Sequence, residues 1–356
     1  MIESFEIQNY RLFKHLKIEK LGRVNLITGK NNVGKTALLE ATHLFSSFNK
    51  LVSIKLILSI REELTSHMDL CVFKLLNNPL NSFQNGIKIS DKKNSLSIET
   101  VLFVEVWNED RSSFLRRIIN TEKDSNLPTR RGIRITFFNI SKIYPLDQEL
   151  INSEIYLSDY ALYSTSMKPC FFVFSSGLGS ETSFDLWDKI ALTSLKNDLI
   201  NNLHLISPEI EDIAVTSHPE KKGARQFMCK IKKMNEPVLL TSMGEGTKRL
   251  LEITLALINT QNGVLLIDEI ENGIHYSIHQ RLWEIILDFA EKLNVQVFAT
   301  THSWDCIDGF QRALKAFHEP SQGLLLRLSK RDDEIIATSF DDRELAIATR
   351  ENIEVR

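Results

Sequence analysis

The chain has 356 residues, of which 43% are hydrophobic, and its formal net charge is −3. This is enough apolar material for a large core or two packed lobes. No apolar run reaches the length of a membrane span and no signal-peptide layout precedes the first strand, so we expect a cytoplasmic protein without membrane segments. The small negative charge gives the surface as a whole no sign of nucleic-acid binding.

The four cysteines are far apart and form no metal-spaced pairs. They are Cys71, Cys170, Cys229 and Cys306. This spacing predicts reduced thiols with a structural role.

The first 45 residues predict two short strands followed by a strand, a turn and a helix. The two strands are expected at 3–8 and 16–19, a buried strand at 23–28, and a helix at 36–45. Residues 29–36, GKNNVGKT, fit the P-loop pattern G-x-x-x-x-G-K-[ST] at all four fixed positions. Such a match arises by chance in roughly one chain in a hundred of this length.

The P-loop pattern has a physical reason at each fixed position. Glycines let successive backbone N–H groups curl around a phosphate, Lys35 can reach the β- and γ-phosphates, and the Thr36 hydroxyl can hold Mg²⁺. The predicted helix turns its N-terminus toward the phosphate. The segment therefore predicts a nucleotide-binding site, and a glycine-rich turn with a surface lysine is the weaker alternative.

The middle of the chain has a different pattern. Residues 51–77 have mostly helical spacing, and a break follows at 79–86. Short β-like runs at 97–107, 132–139 and 154–163, with a polar loop at 120–128, predict an antiparallel β insertion.

Two basic clusters stand out against the overall charge. Their members are Arg111, Arg116, Arg117, Lys123, Arg130, Arg131 and Arg134 in the first cluster, and Lys221, Lys222, Arg225, Lys230, Lys232 and Lys233 in the second. Such clusters usually lie on solvated loops and strand edges, and we favour this interpretation. A surface that binds nucleic acid or a partner is the alternative.

From residue 170 onward, apolar strands alternate with helices. An apolar strand is expected at 170–174, helical spacing follows at 183–205, and two strands are expected at 213–215 and 226–232. A Gly-rich turn and helix (242–258), a strand (264–267), a helix (276–292), a strand (295–299) and a helix after His302 complete the order. This alternation predicts a mostly parallel sheet covered by helices on both faces.

Polar side chains that can bind a metal or take part in catalysis follow two of these strands. Asp268 can hold Mg²⁺ through its water shell, and Glu269 can polarise an attacking water as general base. His302, at the end of the next strand, can bond to a γ-phosphate or to that water, although a lone histidine is more often structural. Carboxylates in the turns at 332–333 and 341–342 are predicted to be turn and N-cap groups.

The turn at 241–246 opens a helix and can form an anion site. Backbone N–H groups at a helix N-terminus and the Ser242 hydroxyl are suitable donors. A simple N-cap, with Lys248 and Arg249 on the surface, is the alternative.

Four motifs follow in this order: the P-loop, the signature turn at 241–246, the Walker B strand and its carboxylates at 264–269, and the switch histidine His302. With this order the chain resembles the ABC-type ATPases of the SMC, RecF and OLD group, often labelled AAA family ATPases. The likeness is greatest to bacterial stand-alone ATPases of the OLD-like branch, which have strings similar to LLIDEIENGIHYSIHQRLW (265–283), VQVFATTHSWDCIDGF (295–310) and the ending at 353–356. The likeness covers the first 45 residues and nearly everything from about 165 onward. It implies an α/β P-loop NTPase fold in three parts: 1–50 with the P-loop, a helical and β insertion lobe at 51–165, and the remaining ATPase part at 166–356.

The resemblance also implies a role for single residues. Lys35, Glu269 and His302 would be catalytic, and Thr36 and Asp268 would hold Mg²⁺. The nucleotide-binding residues would be Arg11, Asn31, Asn32, Val33, Gly34, Lys35 and Thr36 in one subunit, with Ser242, Gly244 and Gly246 capping the ATP of a second subunit. Three departures concern this trans contact and the hydrolysis rate: the signature SMGEG, the D-loop sequence ENGIH at 271–275, and the lack of a glutamine in 171–180.

The implied activity is hydrolysis of ATP at the interface of a head-to-tail homodimer or larger even-numbered oligomer. ATP would close this interface and hydrolysis would reopen it. Relatives of the OLD-like branch often act beside a separate nuclease or toxin effector in bacterial defence. Two alternatives stay open. One is a scaffold in which bound ATP holds the assembly together and turnover is negligible. The other is a DNA repair or recombination ATPase, which the basic clusters favour.

Other classes fit less well. RecF itself would have a different, aspartate-rich Walker B region, SMC proteins need long coiled-coil arms, and full OLD proteins continue into a TOPRIM domain for which the stretch after His302 is too short. A GTPase would need an N-K-x-D motif, and a transporter subunit does not suit the β insertion.

Overall fold

The computed structural model describes residues 1–47, 50–63, 74–77, 86–108, 114–120, 127–146, 168–317, 323–351 and 353–356. The strand predicted at 154–163, Cys71, Arg111 and Lys123 lie outside the described residues. Cys170, Cys229 and Cys306 are free thiols. None of the described helices is long and apolar enough to cross a membrane.

Strands and helices follow in an order close to the predicted one. The strands are β1 (Phe5–Tyr10), β2 (Phe13–Ile18), β3 (Val24–Thr28), β4 (Ile87–Ser90), β5 (Ser95–Trp107), β6 (Phe114–Ile119), β7 (Arg130–Phe137), β8 (Ile140–Pro145), β9 (Cys170–Val173), β10 (Ile210–Ser217), β11 (Arg225–Ile231), β12 (Val238–Leu239), β13 (Val264–Ile267), β14 (Gln296–Thr300), β15 (Gly323–Arg331) and β16 (Glu334–Phe340). The helices are α1 (Lys35–Ser46), α2 (Lys50–Ile60), α3 (Ser180–Ile190), α4 (Leu195–Leu203), α5 (Glu245–Ile258), α6 (His279–Lys292), α7 (Trp304–Ala316) and α8 (Asp342–Arg350), with 3₁₀ turns at Leu240–Met243 and Tyr276–Ile278.

The turns that contain the predicted site residues follow strands of one parallel sheet. Its strand order is β16-β15-β3-β14-β13-β9. The five strands from β15 to β9 are parallel, and β16 adds an antiparallel edge. Because parallel strands end at the same edge, the P-loop after β3, Asp268 after β13 and Thr301 after β14 come together there.

A second, antiparallel sheet has the order β2-β1-β4-β5-β7-β8, with β6 paired to β5. The predicted antiparallel strands are therefore present, but they do not stand apart from the beginning of the chain. β1 pairs directly with β4, with Ile7 opposite Ile89. A third sheet, β10-β11-β12, is small and antiparallel.

Each face of the parallel sheet belongs to a different hydrophobic core. Leu26 and Leu265 point into a core that includes residues of α3 to α8. Ile27 and Leu266, one position further on in each strand, point into a second core with α1, α2 and the antiparallel sheet. The period-2 alternation of a strand buried on both faces explains the near-continuous apolar runs.

Helix boundaries differ from the predictions in two places. The helix expected over 51–77 ends at Ile60, and residues 74–77 are not helical. The helical spacing at 183–205 belongs to two helices, because the chain breaks at 191–194, where the Thr193 hydroxyl donates to the carbonyl of Ile190 at 2.9 Å. Side chains of this type compete with helical hydrogen bonds in this way.

The predicted carboxylate turns are confirmed. Asp332 and Asp333 both have left-handed φ (48° and 62°) in the two-residue connection between β15 and β16. This is the conformation of a tight hairpin turn. Asp341 caps α8, and Glu344 completes a capping box with it.

The last described residues pack beneath the P-loop strand. The Thr28 hydroxyl donates to the carbonyl oxygen of Val355 at 2.5 Å. Val355 itself is fully buried. The end of the chain thus contacts the residue that directly precedes the P-loop.

Candidate nucleotide-binding and hydrolysis site

The P-loop has the backbone that a phosphate cradle requires. Gly34 has a φ of 94° and lies directly before α1, and a Cβ built on it would be 2.8 Å from the Phe13 ring. Only glycine fits such a position without strain. Asn32 is also left-handed, with a φ of 62°. The side chain of Val33 is buried against the core, whereas Asn31 and Asn32 are exposed.

Lys35 lies folded over its own loop. Its Nζ donates to the carbonyl oxygens of Gly29 at 2.6 Å and Lys30 at 3.0 Å. Burial lowers the pKa of Lys35, and the charges of Asp268, Glu269 and Glu271 act in the opposite direction. The lysine thus faces three carboxylates and lies where the loop would surround a phosphate.

Thr36 and Asp268 connect the P-loop to the end of β13. The Thr36 hydroxyl is 3.3 and 3.1 Å from the two carboxylate oxygens of Asp268, and the Thr300 hydroxyl donates to Oδ1 at 2.6 Å. Burial raises the pKa of Asp268, while these hydroxyl hydrogen bonds act to lower it. The Thr36 hydroxyl and the buried Asp268 carboxylate both offer hard oxygen ligands, which is the type that Mg²⁺ prefers. No cluster of three or more His, Cys, Asp or Glu side chains with metal-site geometry occurs among the described residues, so a cation here would need further ligands from phosphate and water.

Glu269 lies next to His302. The backbone of Glu269 is left-handed, with a φ of 49°, and its N–H donates to the Thr300 hydroxyl at 2.8 Å. Its Oε1 is 3.8 Å from Nε2 of His302, and both side chains are about two-fifths exposed. A carboxylate beside an imidazole, open to water, has the geometry to handle a proton.

Two further side chains hold this pair. Asn272 donates from Nδ2 to Oε2 of Glu269 at 2.8 Å. Oε1 of Glu271 accepts the backbone N–H of His302 at 2.8 Å. Ser303, the next residue, caps α7 through the N–H of Cys306. The turn after β13 and the start of α7 are therefore tied together.

Arg249 does not lie on the surface, so the alternative that put it there with Lys248 is wrong. Arg249 is 4% exposed. Its guanidinium donates to the carbonyl oxygens of Phe174 at 2.5 Å, Asp268 at 2.7 Å and Glu269 at 3.2 Å. Burial lowers its pKa. This one side chain of α5 links the ends of β9 and β13.

The signature residues 242–246 lie at the start of α5. Ser242 and Gly244 are exposed at the start of α5, and Gly246 packs against the backbone of Gly273. Gly244 has a φ of 94° and is the N-cap residue. None of the hydrogen bonds of these residues within the described chain reaches residues 29–36.

Arg11 is held by two glutamates. Its Nε lies 2.8 Å from Oε2 of Glu40, and its Nη1 and Nη2 donate to the two carboxylate oxygens of Glu63 at 3.1 and 2.9 Å. Despite burial, the glutamates and Tyr10 raise the pKa of Arg11. Because Glu40 belongs to α1, Arg11 joins the first hairpin to the helix that follows the P-loop. A phosphate contact for Arg11 stays a prediction.

Several cations of the two basic clusters are paired with nearby carboxylates. Arg116 and Arg130 both pair with Glu105, at 3.1 and 2.9 Å, and Arg134 pairs with Glu99. In the second cluster Arg225 pairs with Asp188 and Lys230 with Glu211. Arg117 remains an exposed cation of the first cluster.

Sequence reasoning gave no individual role to four residues of the site: Arg249 and Thr300, and Glu271 and Asn272, which it named only as part of the D-loop sequence. For Thr300 a signal was available, because a threonine ending the strand beside β13 must lie next to Asp268. Arg249 and Glu271 contact backbone groups, and Asn272 contacts Glu269 within one short turn. Residue type alone does not indicate contacts of these kinds.

Comparisons with known proteins agree with this fold and motif order. A family model described as "AAA domain, putative AbiEii toxin, Type IV TA system" matches residues 24–305. A Helicobacter pylori protein named "ATP/GTP phosphatase" is 26% identical over 99% of this chain and 100% of its own length. RecF from Rickettsia prowazekii, named as a DNA replication and repair protein, is 23% identical over 87% of this chain and 96% of its own length.

Solved structures give the fold. An Smc head bound to the C-winged helix domain of ScpA has a TM-score of 0.52 and 14% identity, covering 96% of this chain and 98% of that one. An Smc head with an extended coiled coil, bound to the C-terminal domain of ScpA derived from Pyrococcus furiosus, has a TM-score of 0.50 and 13% identity over 99% of both chains. The chain therefore has the fold of an SMC head domain.

The residues that the family model matches include the P-loop, the signature turn, the Walker B strand and His302. The chain belongs to this family of AAA-type P-loop ATPases, "AAA domain, putative AbiEii toxin, Type IV TA system".

Proposed function

We propose that the chain binds ATP with Mg²⁺ at residues 29–36 and hydrolyses it to ADP and phosphate. The observation that carries this proposal is the hydrogen bond between the Thr36 hydroxyl and Asp268, which joins the P-loop to the turn after β13 that contains Glu269. Thr36 and Asp268 would hold the Mg²⁺, which when bound neutralises charge on the β- and γ-phosphates. Lys35 and the backbone N–H groups of the loop would bind the phosphates.

Glu269 would act as the general base and His302 as its partner. Glu269 takes a proton from a water whose oxygen bonds to the γ-phosphorus, while the bond from that phosphorus to the bridging oxygen breaks. His302, 3.8 Å from the carboxylate, would bond to the γ-phosphate or to the same water.

The direct test compares wild type with Glu269→Gln and Lys35→Ala in a steady-state assay of phosphate release. We expect Glu269→Gln to lower kcat by about a hundredfold or more while ATP binding remains, because general base catalysis contributes that much. Lys35→Ala should lose ATP affinity. Glu291→Gln, at an exposed position of α6, is the control. Equal and near-zero rates for wild type and Glu269→Gln would favour the scaffold alternative.

We also propose that two chains sandwich ATP head to tail, with Ser242, Gly244 and Gly246 of one chain capping the nucleotide on the other. The exposure of Ser242 and Gly244 at the N-terminus of α5 supports this, because N–H groups at a helix N-terminus attract a phosphate. The mass of Glu269→Gln in solution should rise to that of a dimer or larger even-numbered assembly when ATP and Mg²⁺ are added. Gly244→Asp, introduced into the Glu269→Gln protein, should block the change, and a Glu269→Gln protein that stays monomeric with ATP and Mg²⁺ would reject the trans contact.

The biological role we propose is that of a sensor ATPase of the OLD-like branch, coupled to a separate nuclease or toxin effector in bacterial defence. The toxin–antitoxin wording of the family description supports it. Cells that express the chain with its neighbouring genes should resist phage infection in a plaque assay, and Lys35→Ala should abolish that resistance. Protection that persists in Lys35→Ala would remove ATP from the mechanism.

A role in DNA repair is the second candidate, favoured by the full-length likeness to RecF. The ion pairs of Arg116, Arg130 and Arg134 argue for a structural use of much of the first basic cluster. Arg117→Ala is the cleaner test, because its side chain is exposed. A DNA-binding ATPase would show DNA-stimulated hydrolysis and salt-sensitive binding that weakens in this variant, whereas no binding by wild type at low salt excludes the candidate.

A further inference from the structure

The turn that follows β13 is fixed at several points. Ile270 is fully buried, and its N–H donates to the carbonyl of Thr300 at 3.1 Å. The N–H of Asn272 donates to the carbonyl of Glu269 at 3.0 Å, and the N–H of Ile274 to that of Glu271 at 3.0 Å. Asn272 and Glu269 therefore belong to one short, well-anchored turn.

Within this turn the side chain of Glu269 is not held by packing. It is 38% exposed, so neighbouring atoms leave several rotamers open to it. Oε2 accepts a hydrogen bond from Nδ2 of Asn272 at 2.8 Å. A hydrogen bond to an ionised carboxylate is stronger than a neutral one, and this contact selects one orientation of the carboxylate.

That orientation determines which oxygen is available. With Oε2 engaged by Asn272, Oε1 is the oxygen that lies toward His302, 3.8 Å from Nε2. Oε1 is therefore free to accept a proton from a water bound between the two side chains.

We propose that Asn272 is a positioning residue for hydrolysis: its amide holds Oε2 of Glu269 so that Oε1 is presented to the attacking water beside His302. The inference rests on the proposed role of Glu269 as general base. Asn272 itself touches neither phosphate nor water in this scheme. Its contribution is to the orientation of the base, so it should affect kcat and leave ATP affinity unchanged.

The test uses Asn272→Ala and the isosteric Asn272→Asp, measured for kcat and for ATP affinity. Asn272→Ala should lower kcat by about ten- to a hundredfold, the range for losing one hydrogen bond to a charged group, with the ATP Kd within about twofold of wild type. Asn272→Asp should lower kcat at least as far, because it replaces the donor with a second carboxylate facing Glu269.

The aspartate variant separates positioning from a merely structural role. Aspartate forms tight turns as readily as asparagine, so a residue that only shapes the turn would keep a wild-type kcat as aspartate. That result would overturn the inference. Asn235→Asp, exposed in the turn between β11 and β12, controls for the added charge. Glu269→Gln is measured alongside: if it keeps wild-type turnover, the proposed base is wrong, whereas if it is inactive and Asn272→Asp is fully active, only the role of Asn272 fails.

Discussion

The Thr300 hydroxyl contacts both carboxylate residues at the end of β13. It donates to Oδ1 of Asp268 at 2.6 Å and accepts the backbone N–H of Glu269 at 2.8 Å. Thr300 is also buried. One hydroxyl therefore sets the position of the carboxylate that we propose for Mg²⁺ and of the backbone of the proposed base.

Replacing Thr300 with valine keeps the shape and removes both hydrogen bonds. We expect kcat to fall about tenfold and the free energy of unfolding to fall by about 1–3 kcal/mol, because a buried N–H loses its acceptor. Thr300→Ser keeps the hydroxyl and should retain most of the activity. Phosphate release and urea unfolding measure the two effects, and a valine variant as active as the serine variant would contradict the expectation.

Arg249 shows where residue type misleads. A Lys-Arg pair near a helix start is usually solvated, and Lys248 does pair with Glu245 at the surface. Arg249, one residue on, turns inward to three carbonyl oxygens. The spacing of the P-loop, Asp268, Glu269 and His302 could be predicted because each follows an apolar strand. A contact with backbone carbonyls leaves no such trace in the sequence.

Arg249→Met should destabilise the protein by about 2–5 kcal/mol, because the buried carbonyls lose a charged donor. Arg249→Lys should recover only part of this, since an ammonium lacks the planar fork that reaches three acceptors. Thermal unfolding measures the change. Lys248→Met, on the same helix, should stay within about 0.5 kcal/mol of wild type, and a similar small effect at Arg249 would show that its contacts contribute little.

At the scale of elements, the far end of α1 has a buried histidine. His43 lies near the C-terminus of the helix, where its ring contacts the Ser47 hydroxyl at 3.1 Å from Nδ1. Burial, with a smaller contribution from the charge of Lys50, lowers the pKa of His43 to about 4. The helix that begins at the P-loop thus ends in a group that resists protonation.

This burial makes stability depend on pH. An unfolded histidine gains a proton below about pH 6.5, whereas His43 in the folded protein does so only near pH 4. The unfolded state therefore binds more protons between these values, and stability falls as the pH drops through this window, by up to about 3 kcal/mol.

The check is urea unfolding of wild type and His43→Gln at pH 7 and pH 4.5. The difference in free energy of unfolding between the two proteins should shift in favour of the variant at the lower pH. A constant difference across the window would contradict a buried neutral His43.

For the whole molecule, most strands and helices up to α7 could be predicted, but β15 and β16 were missed and the grouping of strands into sheets was not predictable. An apolar run of this length indicates a strand whatever its partners in the sheet, and β3, β13 and β14 could be predicted for this reason. Whether β1 pairs with β4, some eighty residues later in the chain, depends on non-local contacts that no local pattern records. The result is one antiparallel sheet shared by the beginning and the middle of the chain.

The contact between Thr28 and Val355 has a consequence for biosynthesis. Chains emerge from the ribosome N-terminus first, and domains fold as their parts become available. The P-loop is made early, but its strand β3 lies between β14 and β15, and Thr28 bonds to a carbonyl at residue 355. A nascent chain therefore carries the P-loop long before the structure beneath it is complete. The arrangement around the P-loop strand can therefore form only after residues 323–355 have been made.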